Sequence, residues 1–253
     1  MGEVGRRLAG ALSRAAWTVR PVTRDEGWEE ALDPQDGSPR IVAVREEALG
    51  EVLGRFPPTL RDRLVLVQNG FLEPVHGDLG PVTRGLIYFT SKGSFYRVLA
   101  PSEFHGKQAV PLAAALVEGG IAAEAIEAPE EFARAMIVKG IWNAVVGLPL
   151  AVHGVDLGTY LRDRREELAA LVEESARAAG AEYGVALDAG AALQRILETT
   201  PEIAWVRGGK KALAWRNGAL SWFGRRHGVE TPVNDRLLRA VAYDPELAPA
   251  DLA

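Results

Sequence analysis

The sequence predicts an α/β fold in which a doubly wound, mostly parallel sheet is followed by an all-helical domain. In the first half, short continuous apolar runs alternate with helical stretches, which is typical of parallel strands buried on both faces. From about Pro129 onward, apolar residues recur at helical spacing and no strand pattern of comparable clarity appears. We therefore predict two domains, residues 1–128 and 129–253.

The first five residues predict a glycine turn that leads into a helix. Gly2 and Gly5 fit the second and third glycines of the G-x-G-x-x-G turn found in dinucleotide-binding proteins. Leu8 and Leu12 follow at helical spacing, and residues 17–24 then read as a short strand. This order predicts the remainder of a Rossmann-like βαβ unit whose first strand and first glycine are missing. A capped helix that binds no phosphate is the alternative for this fragment alone.

The remaining elements are predicted from apolar runs and their boundaries. Strands are expected at 41–44, 64–67, 86–89 and 95–99, where apolar residues are continuous. Helices are expected at 46–56, 130–146, 158–180, 191–197, 213–228 and 233–243. The helix at 46–56 is expected to end before Pro57, because the residue preceding a proline disfavours helical geometry.

Composition narrows the function classes. The net charge is −5 with both signs scattered, so the chain lacks the basic footprint of a nucleic-acid-binding protein. The sequence has no cysteine, which excludes thiol chemistry and cysteine-ligated metals and fits a cytoplasmic location. Its four histidines show no metal-ligand spacing, and no apolar run reaches the roughly 18–20 residues of a membrane span. We expect no metal, no nucleic acid and no membrane as partners.

Two polar positions stand out as candidates for chemistry. Lys139 and Asn143 lie one turn apart in a predicted helix and therefore project from one face. In that position Lys139 is able to donate a proton to a carbonyl oxygen while Asn143 hydrogen-bonds a substrate. The alternative is a lysine whose stem packs and whose ammonium reaches water. Asn69 ends a predicted strand before Gly70, at the sheet edge where ligands bind, although a simple Asn-Gly turn is the alternative.

Taken in order, the motifs resemble those of one enzyme family. They are Gly2-x-x-Gly5, Gln68-Asn69-Gly70, Lys139-x-x-x-Asn143, Asn217-Gly218 and the run from Arg226 to Asn234. The same order is found in ketopantoate reductases (2-dehydropantoate 2-reductases), and the resemblance spans nearly the whole chain. It implies a Rossmann domain, a helical domain and an active site in the cleft between them. The implied activity is hydride transfer from NADPH to a small 2-keto acid, as in pantothenate biosynthesis.

The resemblance also implies roles for residues toward the substrate. Lys139 matches the family's general acid, and Asn143 matches a substrate-binding asparagine. Thr200 falls where the family usually has a serine that contacts the substrate carboxylate, and Asn217 completes the implied substrate-binding set. Helical second domains of this kind often form homodimers, which we expect here as well.

For the cofactor, the resemblance implies NADP. Gly2 and Gly5 match the pyrophosphate turn, and Asn69 matches an asparagine near the nicotinamide. Arg24 lies just after the predicted second strand, where a guanidinium can pair with the 2′-phosphate of NADP. The adjacent Asp25 is the residue type that favours a bare ribose.

The chain departs from the family pattern at two alanines. Ala212 and Ala214 stand where the family has acidic residues, the first of which binds the substrate hydroxyl. A methyl group accepts no hydrogen bond, so ketopantoate itself is expected to lose about 1–3 kcal/mol of binding or transition-state stabilisation. Together with the missing strand, these alanines motivate an alternative function: a non-catalytic binding or dimerisation protein that has lost cofactor binding.

Overall fold

The computed structural model describes residues 2–93 and 95–251, which fold into two compact units. The first unit comprises Met1–Gln68 and Asp78–Phe132, and the second comprises Asn69–Gly77 and Ala133–Ala253. The second unit therefore takes one short segment from the first half of the chain. Each unit has its own core and is described by itself.

The elements are numbered in chain order. The strands are β1 (Arg40–Val42), β2 (Leu64–Leu66), β3 (Thr83–Leu86), β4 (Phe89–Lys92), β5 (Phe95–Val98), β6 (Ser102–His105) and β7 (Ala123–Ala125). The helices are α1 (Glu3–Arg14), α2 (Trp28–Ala31), α3 (Leu49–Arg55), α4 (Glu73–His76), α5 (Ala109–Glu118), α6 (Pro129–His153), α7 (Leu157–Asp163), α8 (Arg165–Tyr183), α9 (Ala189–Thr199), α10 (Asn217–His227) and α11 (Pro232–Arg239). Short 3₁₀ turns lie at Glu46–Ala48, Pro58–Arg63, Pro201–Ile203, Leu213–Trp215 and Pro249–Asp251.

The first unit is built on a five-stranded sheet in the order β1-β2-β3-β6-β7. β1, β2 and β3 are parallel, β6 and β7 are parallel, and β3 meets β6 in the antiparallel sense. All three residues of β2 are buried, as expected for a strand covered on both faces. The parallel-dominated sheet and the helical C-terminal region confirm the predicted fold class.

α1 is anchored by contacts to α5 and to the sheet. Leu8 and Leu12 belong to the same buried cluster as Val65 and Leu116. These contacts confirm the predicted amphipathic helix, although it begins earlier than its apolar spacing alone indicates. The first turn of α1 is thereby held in one place relative to the sheet.

The strand predicted at residues 17–24 is wrong. The chain leaves α1 through Ala16 in a left-handed conformation (φ 60°) and then runs without regular secondary structure to Gly27. Among the described residues, β1 is paired with β2 on one side alone. β propensity reflects packing and pairing against neighbouring strands, so an apolar, β-branched segment without a paired neighbour does not form a strand.

Other predicted boundaries differ as well. The helix predicted at 213–228 is divided at Arg216 into the turn Leu213–Trp215 and α10, and the helix predicted at 233–243 ends at Arg239. The run predicted as a strand at 86–89 spans the end of β3 and the start of β4, and the connecting Ile87 and Tyr88 are buried. A buried connection extends the apolar signal, so the sequence pattern does not show where one strand ends. The helix predicted at 158–180 is divided at Arg164, which has an extended φ of −130° between α7 and α8.

α6 is long and apolar enough, by length and composition, to cross a membrane. However, 61% of its most apolar stretch is buried inside the protein, with Ile137, Ile141 and Val145 among its fully buried residues. These side chains are used in packing. The expectation of no membrane partner stays a prediction.

Candidate functional site

Three of the predicted cofactor residues line one cavity in the first unit. This cavity, which we call the β1 cavity, has a volume of about 880 Å³. Its walls are the start of α1, residues 17–24, residues 38–45 and apolar side chains from α1 and α3. Gly2, Gly5 and Arg24, which are far apart in the sequence, all contribute to its surface. The fourth predicted residue, Asn69, belongs to the second unit and does not line it.

The N-terminus of α1 is open to an anion at this cavity. Gly2 is the N-cap residue and supplies no side-chain hydrogen bond to the first turn. Apart from its neighbours in the chain, a Cβ atom at Gly2 would meet no described atom within 4 Å. Glu3, the acidic residue of the first turn, accepts a hydrogen bond of 2.8 Å from the N–H of Gly93. The N–H groups and the positive end of the helix dipole favour a phosphate here.

The charged residues around the β1 cavity are mostly basic. Its lining includes four arginines (Arg20, Arg24, Arg40 and Arg45) and one carboxylate, that of Glu51. Arg40 is engaged in an ion pair of 3.2 Å with Asp36, whereas Arg20, Arg24 and Arg45 are exposed. An open helix N-terminus beside several guanidinium groups fits a cofactor that carries more than one phosphate.

Arg45 is a residue that the sequence interpretation missed. It follows the predicted strand at 41–44 directly, at the carboxyl end of β1, and it lines the β1 cavity. Ligands of open α/β sheets bind outside the carboxyl ends of the strands. A basic residue in that position was therefore a usable signal.

In the second unit, α6 holds Lys139 and Asn143 on one face, as predicted from their spacing. Each side chain is 5% exposed. The Lys139 ammonium lies 4.2 Å from the centroid of the Trp142 ring, a cation–π contact that helps to hold the charge away from bulk water. The Nδ2 of Asn143 is buried and has no hydrogen-bond partner among the described residues. A buried unpaired donor is costly and is a common mark of a ligand site.

Asn217 lies at the start of α10 in a fully buried amide network. Its Nδ2 donates to Oδ1 of Asn234 (2.8 Å), and Nδ2 of Asn234 donates back to the Asn217 carbonyl (2.7 Å) and to Ser221 (2.8 Å). Within the described part of the chain, Oδ1 of Asn217 has no partner. Asn217 therefore has one buried acceptor available for a donor group, while the network fixes its orientation.

Glu174 supports this network and was not identified from the sequence. Its Oε2 accepts a hydrogen bond from the N–H of Val233 (3.1 Å), and its Oε1 accepts one from the N–H of Asn234. The carboxyl therefore serves the first turn of α11, which no side chain of its own caps. Burial raises the pKa of Glu174 to about 7, despite the opposing effect of these two hydrogen bonds. The sequence carried no signal for this contact, because 60 residues separate Glu174 from Asn234.

Thr200 and Asn69 occupy constrained backbone positions. Thr200 is buried at the end of α9, and its hydroxyl donates to the carbonyl of Ile196 at 2.9 Å. Asn69 precedes Gly70, which has φ +103°. A Cβ at Gly70 would lie 2.3 Å from the carbonyl oxygen of Trp215, so only glycine permits this close approach.

The two alanines that depart from the family pattern are both buried. Ala212 is 7% exposed, has a left-handed backbone (φ 51°), and precedes the turn Leu213–Trp215 that contains Ala214. No carboxylate is supplied at either position. The second unit thus contains all of the predicted substrate residues (Lys139, Asn143, Thr200 and Asn217), together with Asn69.

Comparisons with known proteins identify the fold. No protein-family model matches the chain, and no curated protein matches it by sequence. Among solved structures, the 2-dehydropantoate 2-reductase from Geobacter metallireducens has a TM-score of 0.73 at 14% identity, covering 96% of this chain and 97% of that one. The dimeric ketopantoate reductase from Staphylococcus aureus has a TM-score of 0.61 at 16% identity over 81% and 77%. D-mandelate dehydrogenase in complex with NADH has a TM-score of 0.63 at 19% identity over 80% and 76%.

The chain therefore has the fold of ketopantoate reductases, a fold that D-mandelate dehydrogenase shares. The resemblance found in the sequence motifs is confirmed at the level of fold.

Proposed function

We propose that this chain is an NADP-dependent oxidoreductase of the ketopantoate reductase type, which reduces a small 2-keto acid. The observation that carries the proposal is the β1 cavity, where Gly2, Gly5 and Arg24 meet beside an open helix N-terminus and further arginines. The fold shared with nicotinamide-dependent enzymes supports the same function.

The first unit is proposed to hold the cofactor. The N–H groups of the first turn of α1 bind the pyrophosphate, and Gly2 leaves the space for it. Arg24 binds the 2′-phosphate through its guanidinium, with Arg20 and Arg45 adding positive charge around the same cavity. When bound, the cofactor supplies a hydride for the carbonyl carbon of the substrate.

The second unit is proposed to supply the proton and the substrate contacts. The ammonium of Lys139 donates a proton to the substrate oxygen, which becomes the hydroxyl of the product. The Nδ2 of Asn143 donates a hydrogen bond to the substrate, and Oδ1 of Asn217 accepts one; both atoms lack partners among the described residues. Thr200 is proposed to contact the carboxylate once its hydroxyl turns from Ile196, and Asn69 to lie near the nicotinamide.

The substrate is proposed to lack the hydroxyl that ketopantoate carries. Ala212 and Ala214 are buried, and they supply no acceptor at the two positions where the family has acidic residues. A small 2-keto acid with an apolar side chain satisfies this arrangement better. We further propose that the protein is cytoplasmic and acts as a homodimer.

The proposal is tested by purified enzyme assays with NADPH and a panel of 2-keto acids. Lys139→Ala is expected to lower kcat at least about 100-fold, because the proton donor is removed. Lys210→Ala, which removes an exposed lysine of the same unit, is the matched control and should leave kcat unchanged.

The cofactor assignment has its own readout. Arg24→Ala is expected to weaken NADPH about tenfold, which corresponds to about 1.4 kcal/mol, and to leave NADH binding nearly unchanged. If the chain binds neither NADPH nor NADH by fluorescence titration, the proposal is overturned in favour of a non-catalytic binding protein. Full activity in Lys139→Ala would overturn only the assignment of Lys139 as the proton donor and would leave the rest of the proposal standing.

A further inference from the structure

Arg216 brings a guanidinium group to the helix face that carries Lys139 and Asn143. A Cβ atom at Gly147 would lie 3.9 Å from Nη1 of Arg216. Gly147 follows Asn143 by four residues, as Asn143 follows Lys139, so the three positions lie on one face of α6 in successive turns. The guanidinium of Arg216 therefore lies beside this face, one helical turn beyond Asn143.

The backbone of Arg216 is held on both sides. The carbonyl of Trp215 accepts a hydrogen bond of 2.8 Å from the N–H of Phe71, and the carbonyl of Asn217 accepts one of 2.7 Å from the buried amide network. The Nε of Arg216 is buried, although the side chain as a whole is partly exposed. A guanidinium whose backbone and stem are fixed in this way loses little conformational freedom when it binds an anion.

The proposed substrate carries a negative charge that its other contacts do not balance. Asn143, Thr200 and Asn217 are neutral, and the hydroxyl of Thr200 donates to the carbonyl of Ile196. Lys139 is assigned to the ketone oxygen. A carboxylate that leaves water for a largely buried site requires a cationic partner, and the planar fork of a guanidinium matches its two oxygens.

The spacing along α6 fits a small 2-keto acid. Four residues of helix rise about 6 Å, so Lys139, Asn143 and the guanidinium at Gly147 follow one another along the helix in steps of about that length. One substrate group that accepts two hydrogen bonds of about 2.9 Å each spans such a step. A ketone oxygen at Lys139 and a carboxylate between Asn143 and Arg216 therefore use the whole face.

We propose that Arg216 binds the carboxylate of the substrate, which lies along α6 with its ketone oxygen toward Lys139. This assignment rests on the proposed function, because it takes the substrate to be a 2-keto acid. Arg216 supplies the charge, and Thr200 adds a neutral hydrogen bond. Arg216 is thus the residue that selects an anionic substrate over an uncharged ketone of the same shape.

The test compares a charged and an uncharged ligand in one arginine variant. Oxamate is an unreactive analogue of a small 2-keto acid, and oxamide is its uncharged counterpart. Tryptophan fluorescence measures their binding with and without NADP, since Trp215 and Trp142 are direct sequence neighbours of Arg216 and Asn143. Arg216→Gln is expected to weaken oxamate binding about 10–100-fold, because a charge-assisted pair is lost, and to change oxamide binding less than about twofold.

Two further variants and a kinetic measurement sharpen the result. Arg195→Gln, which removes an exposed guanidinium of the same unit, is the matched control and should leave oxamate binding unchanged. Arg216→Lys keeps the charge but loses the planar fork, so it should weaken oxamate only about 3–10-fold, and it serves as the test if Arg216→Gln does not fold. In turnover, Arg216→Gln should raise KM for the 2-keto acid about 10–100-fold and lower kcat far less.

The outcomes separate this assignment from the proposed function. Equal oxamate affinity and equal KM in the parent and Arg216→Gln, in a protein that reduces a 2-keto acid, overturn the role of Arg216 and leave the proposed function standing. Equal losses for oxamate and oxamide also overturn it, because the variant has then lost shape and not charge recognition. Oxamate binding that depends on Arg216, in a protein that reduces no 2-keto acid, retains the carboxylate site and overturns the proposed function. A parent protein that neither binds oxamate nor reduces a 2-keto acid overturns both.

Discussion

Replacing Glu174 by glutamine should change how the stability of the protein depends on pH. The Glu174 side chain is 3% exposed and holds the start of α11 through the N–H groups of Val233 and Asn234. Burial raises its pKa from the ordinary value of 4.5 to about 7. Through Asn234, this carboxyl also supports the network that orients Asn217.

The magnitude follows from the difference between the folded and unfolded pKa values of Glu174. Between pH 4.5 and 7 the folded protein keeps the Glu174 proton while the unfolded chain releases it. The free energy of unfolding therefore falls as pH rises through this window and levels off above pH 7. At about 1.4 kcal/mol per pKa unit, a pKa difference of about 2.5 amounts to a loss of at most about 3.5 kcal/mol.

Glu174→Gln removes the titration, but its amide has one oxygen that accepts and an NH₂ group that accepts nothing, so one of the two backbone N–H groups loses its acceptor. The variant should therefore be less stable than the parent by about 1–3 kcal/mol at pH 4.5. By pH 8 this difference should have moved in favour of the variant by up to about 3.5 kcal/mol. Urea unfolding at pH 4.5, 6 and 8 measures the difference.

The matched control is Glu173→Gln, which neutralises the exposed neighbouring carboxylate. It should shift stability by less than about 0.5 kcal/mol at every pH. The reasoning is refuted if the Glu174→Gln difference is the same at pH 4.5 and pH 8, or if the control shows an equal pH dependence.

Two further predictions concern glycine and alanine positions and are measured by thermal unfolding. Gly140→Ala should destabilise the protein by about 1–3 kcal/mol, because its Cβ would lie 2.2 Å from the ring of Phe71. Gly147→Ala on the same helix should be neutral or stabilising, because its Cβ would meet the carbonyl oxygen of Gly209 at 3.7 Å, an ordinary contact distance. Equal losses in both would contradict the packing argument. Ala242 lies in the turn that follows α11 and has φ 60°, so Ala242→Gly should stabilise the protein by about 0.5–1 kcal/mol. Gly228→Ala, at φ 65° after α10, should destabilise it by a similar amount. A destabilised Ala242→Gly variant or a stabilised Gly228→Ala variant would refute the backbone explanation.

The helices were predicted better than the strands. The spacing of Leu8 and Leu12 predicts α1 because a helix repeats its buried face within its own sequence. The segment 17–24 is rich in β-branched residues, which favour strands, yet it is irregular. Strand formation needs a paired neighbour elsewhere in the chain, which the composition of the segment does not show. The single strand predicted at 86–89 is wrong for a related reason. Ile87 and Tyr88 are buried although they connect β3 to β4, so the apolar pattern does not show where one strand ends and the next begins.

The candidate site was predictable where its residues form local patterns. Lys139 and Asn143 share a helix face through their spacing, and Gly2 and Gly5 form a motif. Arg45 followed a strand end and was open to prediction. Glu174 was not, because its partners on α11 are brought to it by folding alone.

The sequence by itself determined the α/β class with a helical C-terminal region, several of the elements, and the resemblance to ketopantoate reductases, whereas α5, β6 and β7 were not predicted. These rest on local periodicity and on short motifs, which need no knowledge of distant contacts. Only the tertiary structure decided that Gly2, Gly5 and Arg24 share one cavity and that the carboxyl of Glu174 supports Asn234. It also decided that the β1 cavity lies beside a strand that, among the described residues, pairs on one side alone, because strand pairing is defined by neighbouring strands and not by a strand's own residues.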